Sequence, residues 1–205
     1  MCFHSKQGKE AQTLQKRFNA QVDVVLDTTT SEEYNGFSFP KTPVITDIKP
    51  EIITHYNWGL IPSWSKDMDI RKYTLNAKIE TIHEKPSFKN SVNKRCLVLA
   101  DGFYEWEWLD SKGKKKQKHL ISLPDSGAYA YAGIWSEWID KQTGEVQNTY
   151  SILTTEANTL MSEIHNNKKR MPVILRQEDE TRWLNHAPIK EFAFPYDVEL
   201  RATQL

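Results

Sequence analysis

Cysteine is scarce in this 205-residue chain, with Cys2 and Cys96 its two examples. Two cysteines build no disulfide framework. The expected home is therefore a reducing compartment, where a thiol stays free. Long apolar runs are missing, so no membrane-spanning helix is expected. No signal peptide or lipidation motif is legible. Together these absences predict a soluble cytoplasmic protein, nucleoid-associated if bacterial, with no membrane partner. Net charge is missing as well: 27 basic side chains balance 27 acidic ones. No global field draws the chain to nucleic acid, and any such contact has to come from a local patch. Repeats, low-complexity segments and linkers are absent, which fits one large domain.

What is present begins at Met1-Cys2. Removal of Met1 would leave Cys2 with an α-amine and a thiol on adjacent carbons. Such a 1,2-aminothiol condenses with an aldehyde to an imine and closes it through sulfur into a five-membered thiazolidine. The α-amine has a pKa of roughly 7.7–8.0 against about 10.4 for lysine, so near neutrality it is far more often the free nucleophile. The other cysteine, Cys96, lies in the apolar run Arg95 to Ala100 and reads as a buried strand thiol.

Hydrophobic periodicity gives a coarse map. Ala11, Leu14 and Phe18 share a helical face within residues 8–19. Strands are expected over 43–46, 51–58, 95–100, 103–108, 119–123, 128–135, 146–153 and 171–175. Between 75 and 81 a helix is expected to start, with Asn76 as its cap. A second helix is expected from a Thr155 cap through Ala157, Leu160, Met161 and Ile164, and a third over 178–184. The result is an α+β domain with an antiparallel, barrel-like β-rich core and short flanking helices.

Several stretches carry candidate chemistry. Trp58-Gly-Leu-Ile-Pro62-Ser-Trp64 is broken by Gly and Pro into a loop. It either packs over the core or offers aromatic surfaces on which bases stack. In Phe103-Tyr-Glu-Trp-Glu-Trp108, alternation puts Phe103, Glu105 and Glu107 on one face and three aromatics on the other. Glu105 beside an aromatic ring is either solvated or a site residue. His165 ends the second helix, where carbonyl dipoles favour a protonated imidazole. Two basic stretches, 110–118 and 166–170, are solvated loops or phosphate contacts.

Taken in order, Met1-Cys2, Trp58 to Trp64, Asn76-Ala-Lys-Ile-Glu-Thr81, Asp101-Gly-Phe-Tyr-Glu-Trp106 and Ile164-His165 to Arg170-Met171-Pro172 resemble the SRAP (SOS response-associated peptidase) family. The resemblance spans nearly the whole chain, so it implies one SRAP-type domain over residues 1–205. It further implies a sensor of abasic sites in single-stranded DNA, which cross-links the opened sugar aldehyde through Cys2 as a thiazolidine. Asn76 would orient the N-terminus, and Glu105 and His165 would move protons, with His165 as donor and Glu105 as acceptor. Contacts to DNA would come from His4, Trp58, Pro62, Trp64, Lys78, Arg170, Met171 and Pro172. The implied protein is a monomeric enzyme needing neither metal nor cofactor. Lyase chemistry is a side route, and removal of Met1 is self-catalysed. A cysteine-type peptidase using Cys2, His165 and Asn76 is one alternative. A non-covalent single-strand binder using Trp64 and the basic patches is another.

Two departures bear on DNA contact. The family's usual Met-Cys-Gly-Arg start is here Met1-Cys2-Phe3-His4, and the usual Asn-Ala-Arg is Asn76-Ala77-Lys78. Lysine lacks the planar fork with which arginine grips phosphate, and His4 is only partly charged near neutrality.

Overall fold

The computed structural model describes residues 2–23 and 30–205. Met1, whose removal the sequence reading requires, lies outside the described residues. The chain opens with β1 (His4–Gln7), α1 (Ala11–Phe18), β2 (Gln21–Val22) and β3 (Ser31–Asn35). It continues through β4 (Lys41–Thr46), β5 (Lys49–Trp58), β6 (Asn76–Lys78) and β7 (Arg95–Ala100). Then come β8 (Gly102–Trp108), β9 (Lys116–Ser122), β10 (Tyr129–Ile139) and β11 (Val146–Glu156). Last are α2 (Thr159–Ile164), β12 (Arg170–Pro172), β13 (Ile174–Leu175), α3 (Glu180–Leu184) and β14 (Arg201–Gln204).

Two sheets result. The smaller runs β14-β9-β8-β1-β3, and the larger runs β12-β11-β10-β7-β4-β5-β2. A parallel pair, Thr149 with Asn57 and Tyr150 with Trp58, joins β11 back to β5. That pair closes β5-β4-β7-β10-β11 into a barrel-like ring and removes two open edges. Gly133 sits where β10 crosses β7: a Cβ there would meet Cys96 Sγ at 2.8 Å and Val98 Cγ2 at 2.9 Å, so glycine permits the approach.

Alternation along these strands builds two cores. Ile45, Ile53, Leu97, Leu99 and Ala132 pack with Leu14 of α1 and Trp183 of α3. Arg17 clamps the two helices together through a two-pronged bond to Glu180 at 2.7 and 3.1 Å. Val44, Trp58, Val98, Tyr131 and Ile152, on alternate positions, form the second core with Phe103 and Ile121 of the smaller sheet. Cys2 belongs to this second core, which seats the N-terminal segment between the two sheets. No helix among the described residues is long and apolar enough to cross a membrane.

Two local expectations fail. Asn76 opens no helix: Asn76–Lys78 pairs in parallel with Ile152–Thr154 of β11, and a single 3-10 turn over Ile79–Thr81 follows. Leu75, Ala77 and Ile79 alternate into the core, so strand pairing wins over the capping preference of asparagine. Nor does Thr155 cap α2. It remains in β11, paired with Met171, and its hydroxyl accepts from Phe194 N–H at 2.8 Å. The cap is Asn158, whose side chain accepts from Met161 N–H at 2.8 Å. The strand expected over 171–175 is split: Arg170–Pro172 pairs with β11 and Ile174–Leu175 with β10.

Candidate active site

Cys2 is held by its own backbone. Its carbonyl accepts a hydrogen bond from Asn76 Nδ2 at 2.8 Å, and Asn76 stands there because β6 is pinned to β11. Asn76 Oδ1 is buried without a hydrogen-bond partner among the described residues. A buried acceptor left open costs free energy unless a ligand or water fills it. The Cys2 thiol is fully buried and points toward the His4 carbonyl at 3.8 Å. Burial first, and the Glu105 carboxylate second, push the thiol up to about 12.

Glu105 comes from β8, whose register with β9 pairs Glu105 with His119 and Trp106 with Lys118. Phe103, Glu105 and Glu107 therefore share a face, as alternation predicts. Glu105 is 7% exposed, and burial raises its carboxyl to about 7 against a lowering bond from Trp106 N–H. Desolvation disfavours the charged form and outweighs everything that lowers it.

His165 caps the C-terminus of α2. The dipole expectation is overturned. Burial drives the imidazole down to about 4, and the nearby Lys168 and Arg170 charges act in the same direction. A helix of six residues presents too weak a field to hold a buried cation. His165 Nδ1 lies 2.7 Å from Arg170 O and 3.2 Å from Arg170 N, and one nitrogen cannot donate and accept at once. The shorter contact assigns the proton to Nδ1, which makes Nε2 the acceptor. Near neutrality the His165 imidazole is therefore uncharged, and the Glu105 carboxyl can hold a proton.

Glu105 and His165 face a common cavity of about 220 Å³, completed by Phe3, Trp106, Trp108, Lys116, Asn167 and Lys168. The four catalytic candidates fall in two pairs: Asn76 holds Cys2 by its carbonyl, and the cavity, which Phe3 next to Cys2 also lines, joins Glu105 to His165. Sequence reasoning missed Trp108 and Lys116 as cavity residues. The sequence reading kept Lys116 inside the turn 110–118, whereas the structure pairs it with Trp108 across the β8–β9 ladder, with Lys116 Nζ 5.4 Å from the Trp108 ring.

The expected DNA contacts divide. Trp64 is 49% exposed, and Lys78 is exposed as well. His4 is half-buried, with its ring 4.7 Å from that of Trp106 and Nδ1 2.7 Å from Glu33. Trp58 and Pro62 are buried, so of the contacts expected from that loop only Trp64 stands exposed. The Trp58 ring is fixed in the core by its N–H bond to Leu75 O at 2.8 Å. Met171 and Pro172, paired beside β11, are buried and offer no side-chain surface. The Arg170 guanidinium is already bound in two-pronged fashion to Glu80 at 2.8 and 2.9 Å, which ties the His165 turn to the segment after β6.

A barrel-cored α+β domain that assembles its polar site around its own second residue defines a narrow class of protein. The chain belongs to the SOS response associated peptidase (SRAP) family, whose model matches residues 1–204. It is 41% identical over 162 residues to the abasic site processing protein YoaM of Bacillus subtilis, covering 76% of this chain and 69% of that one. It is 33% identical over 167 residues to the abasic site processing protein HMCES of Gallus gallus, covering 70% and 48%. The chain therefore spans about half the length of this vertebrate relative. A crystal structure of a protein from Bacteroides thetaiotaomicron superposes with a TM-score of 0.88 at 38% identity, covering 100% of this chain and 92% of that one. One from Bordetella bronchiseptica gives 0.83 at 25% identity, covering 100% and 99%.

Proposed function

We propose that this protein processes abasic sites in single-stranded DNA by forming a covalent thiazolidine through Cys2 once Met1 is removed. The observation that carries the reading is the Asn76 clamp on the Cys2 carbonyl, which holds residue 2 beside a carboxyl whose pKa is about 7. The relatives' names agree with a DNA lesion as substrate.

An abasic sugar rests mainly as a closed hemiacetal. Neutral His165 takes the proton from its anomeric hydroxyl, and protonated Glu105 delivers one to the ring oxygen, which frees the aldehyde. The Cys2 amine attacks the aldehyde carbon, Glu105 accepts the ammonium proton, and water leaves to give the imine. Sulfur then adds to the imine carbon. A thiol pKa of about 12 makes sulfur the second nucleophile and the amine the first. An imine left open can lose its 3′ phosphate by β-elimination, and sulfur closure suppresses that lyase route. Lys78, Trp64 and the lysines of the two basic loops hold the strand, and the protein acts as a monomer without a cofactor. Release of Met1 by the same site is the peptidase-like step.

The test is intact mass and a denaturing gel. Protein verified to lack Met1 is expected to form a heat-stable adduct with a single-stranded abasic oligonucleotide, and protein verified to retain Met1 is expected to form none. Equal yields from the two would sink the mechanism, because a Met1 amide leaves Cys2 no amine.

A further inference from the structure

Glu105 and His165 are carried by different sheets. Glu105 lies on β8 of the smaller sheet, and the His165 turn leads from α2 into β12 of the larger one. Each is anchored on its own side. β8 pairs with β9 over Phe103 to Trp108 and with β1 over Gly102 to Tyr104. The turn closes on itself through Lys169 N–H, which donates to His165 O at 2.8 Å. Arg170 ties its far end to Thr154 O at 2.7 Å and to Glu80. Met161, Ile164 and Phe103 pack in the core between the sheets. Such burial is non-directional, so it holds the sheets together without setting the gap across their shared cavity.

Asn166 bridges that gap. Its Nδ2 donates to Trp108 O at 2.9 Å, and its Oδ1 accepts from Trp108 N–H at 3.3 Å. Leu109 N–H bonds to Lys115 O on the β9 side, so alternation turns the Trp108 backbone groups to the other edge of β8. There the pairing with β1 goes no further than Tyr104. The Asn166 amide supplies from one side chain the donor and the acceptor that a neighbouring strand would offer. Trp108 on one side of this seam and Asn167 on the other line the cavity with Glu105 and His165.

We propose that Asn166 is a positioning residue for the cross-linking reaction: its two bonds to Trp108 lock the His165 turn against β8 and set the gap between imidazole and carboxyl across which the sugar is opened. The inference rests on the covalent reading above. Asn166 moves no proton itself and acts through its neighbour in sequence. Misplacing a reacting pair by about 1 Å can cost about 10²-fold in rate, so a directional latch matters where packing alone would let the turn slide.

The experiment pairs Asn166→Ala with Asn166→Leu. The first removes the amide and lets water reach the half-buried Trp108 groups, and the second keeps the volume, adds no charge and removes both bonds. Affinity is read with a single-stranded oligonucleotide carrying a tetrahydrofuran abasic analogue, which cannot open. The limiting single-turnover rate of adduct formation is read with the true abasic oligonucleotide. Both variants are expected to bind the analogue as the parent does and to react about tenfold to 10²-fold more slowly. A parent-like rate in Asn166→Leu would assign the effect to volume and overturn the proposal, as would affinity and rate falling by one common factor. The second readout needs no DNA: the His165 imidazole titration by NMR, its signal assigned by its loss in His165→Ala. Both variants are expected to raise the imidazole from about 4 toward 6.5, because a loosened turn lets water reach the ring. Failure of the parent to form any adduct would sink the covalent reading, and the titration would still decide Asn166: a parent-like His165 in both variants would overturn its role.

Discussion

Replacing Glu105 by glutamine is expected to stabilise the protein, and to do so in a pH-dependent way. Burial raises the Glu105 carboxyl from 4.5 to about 7 in the folded state. Between those values the folded chain holds a proton that the unfolded chain has released, so stability falls as pH rises through the window. At about 1.36 kcal/mol per unit, the carboxylate costs about 1 kcal/mol near pH 5 and about 3 kcal/mol near pH 8.5. Glutamine fills the same space and does not titrate. His165 works in the opposite direction. Its imidazole is held down from 6.5 to about 4, so the unfolded chain takes up a proton first and stability falls as pH drops through that range. The two effects nearly cancel where their windows overlap, which flattens the parent's profile. Glu105→Gln should therefore uncover the histidine slope, with stability rising from acid to neutral pH. Urea unfolding near pH 5 and near pH 8.5 measures it. The gain from the substitution should be about 2 kcal/mol larger at the higher pH. An equal change at both would mean that Glu105 titrates as an ordinary carboxyl, and the site would lose its acid.

His165→Ala is expected to slow single-turnover adduct formation by about 10²–10⁴-fold, the range for a lost acid–base group, while the fold persists. A rate within twofold of the parent would demote the residue to a structural cap. Binding to abasic single strands should weaken as salt rises, because lysine contacts to phosphate release counterions. Neutralising Lys168 and Lys169 should flatten that dependence in a salt titration of oligonucleotide affinity. If neutralising 114–116 flattens it instead, the strand runs over the β8–β9 hairpin.

The long strands were legible because their signal is local. Val44, Tyr56, Val98 and Ile152 alternate with residues of the other core, and each run is bounded by turn residues. Glu105 was placed correctly on the Phe103 face by the same two-residue period. β6 was misread because Asn76 suits a helix cap, although Leu75, Ala77 and Ile79 already showed the strand period. The ring closure between β5 and β11 depends on residues far apart in sequence, and nothing local announces it. The burial of Trp58 and Pro62 is likewise a tertiary fact in a loop whose composition suits exposure as well. The His165 charge state was inverted because the helix dipole can be read from sequence and desolvation cannot.

The central claim is that sulfur closes an imine made by the N-terminal amine. Cys2→Ala keeps that amine, since alanine also permits removal of Met1, and it removes the sulfur. The measurement is a denaturing gel of labelled abasic oligonucleotide with parent and Cys2→Ala, each with and without borohydride. The account predicts that Cys2→Ala gives no heat-stable adduct without reductant, gives a trapped adduct with it, and cleaves the strand at least as much as the parent. A heat-stable adduct from Cys2→Ala in the absence of borohydride would contradict the account and place the nucleophile elsewhere.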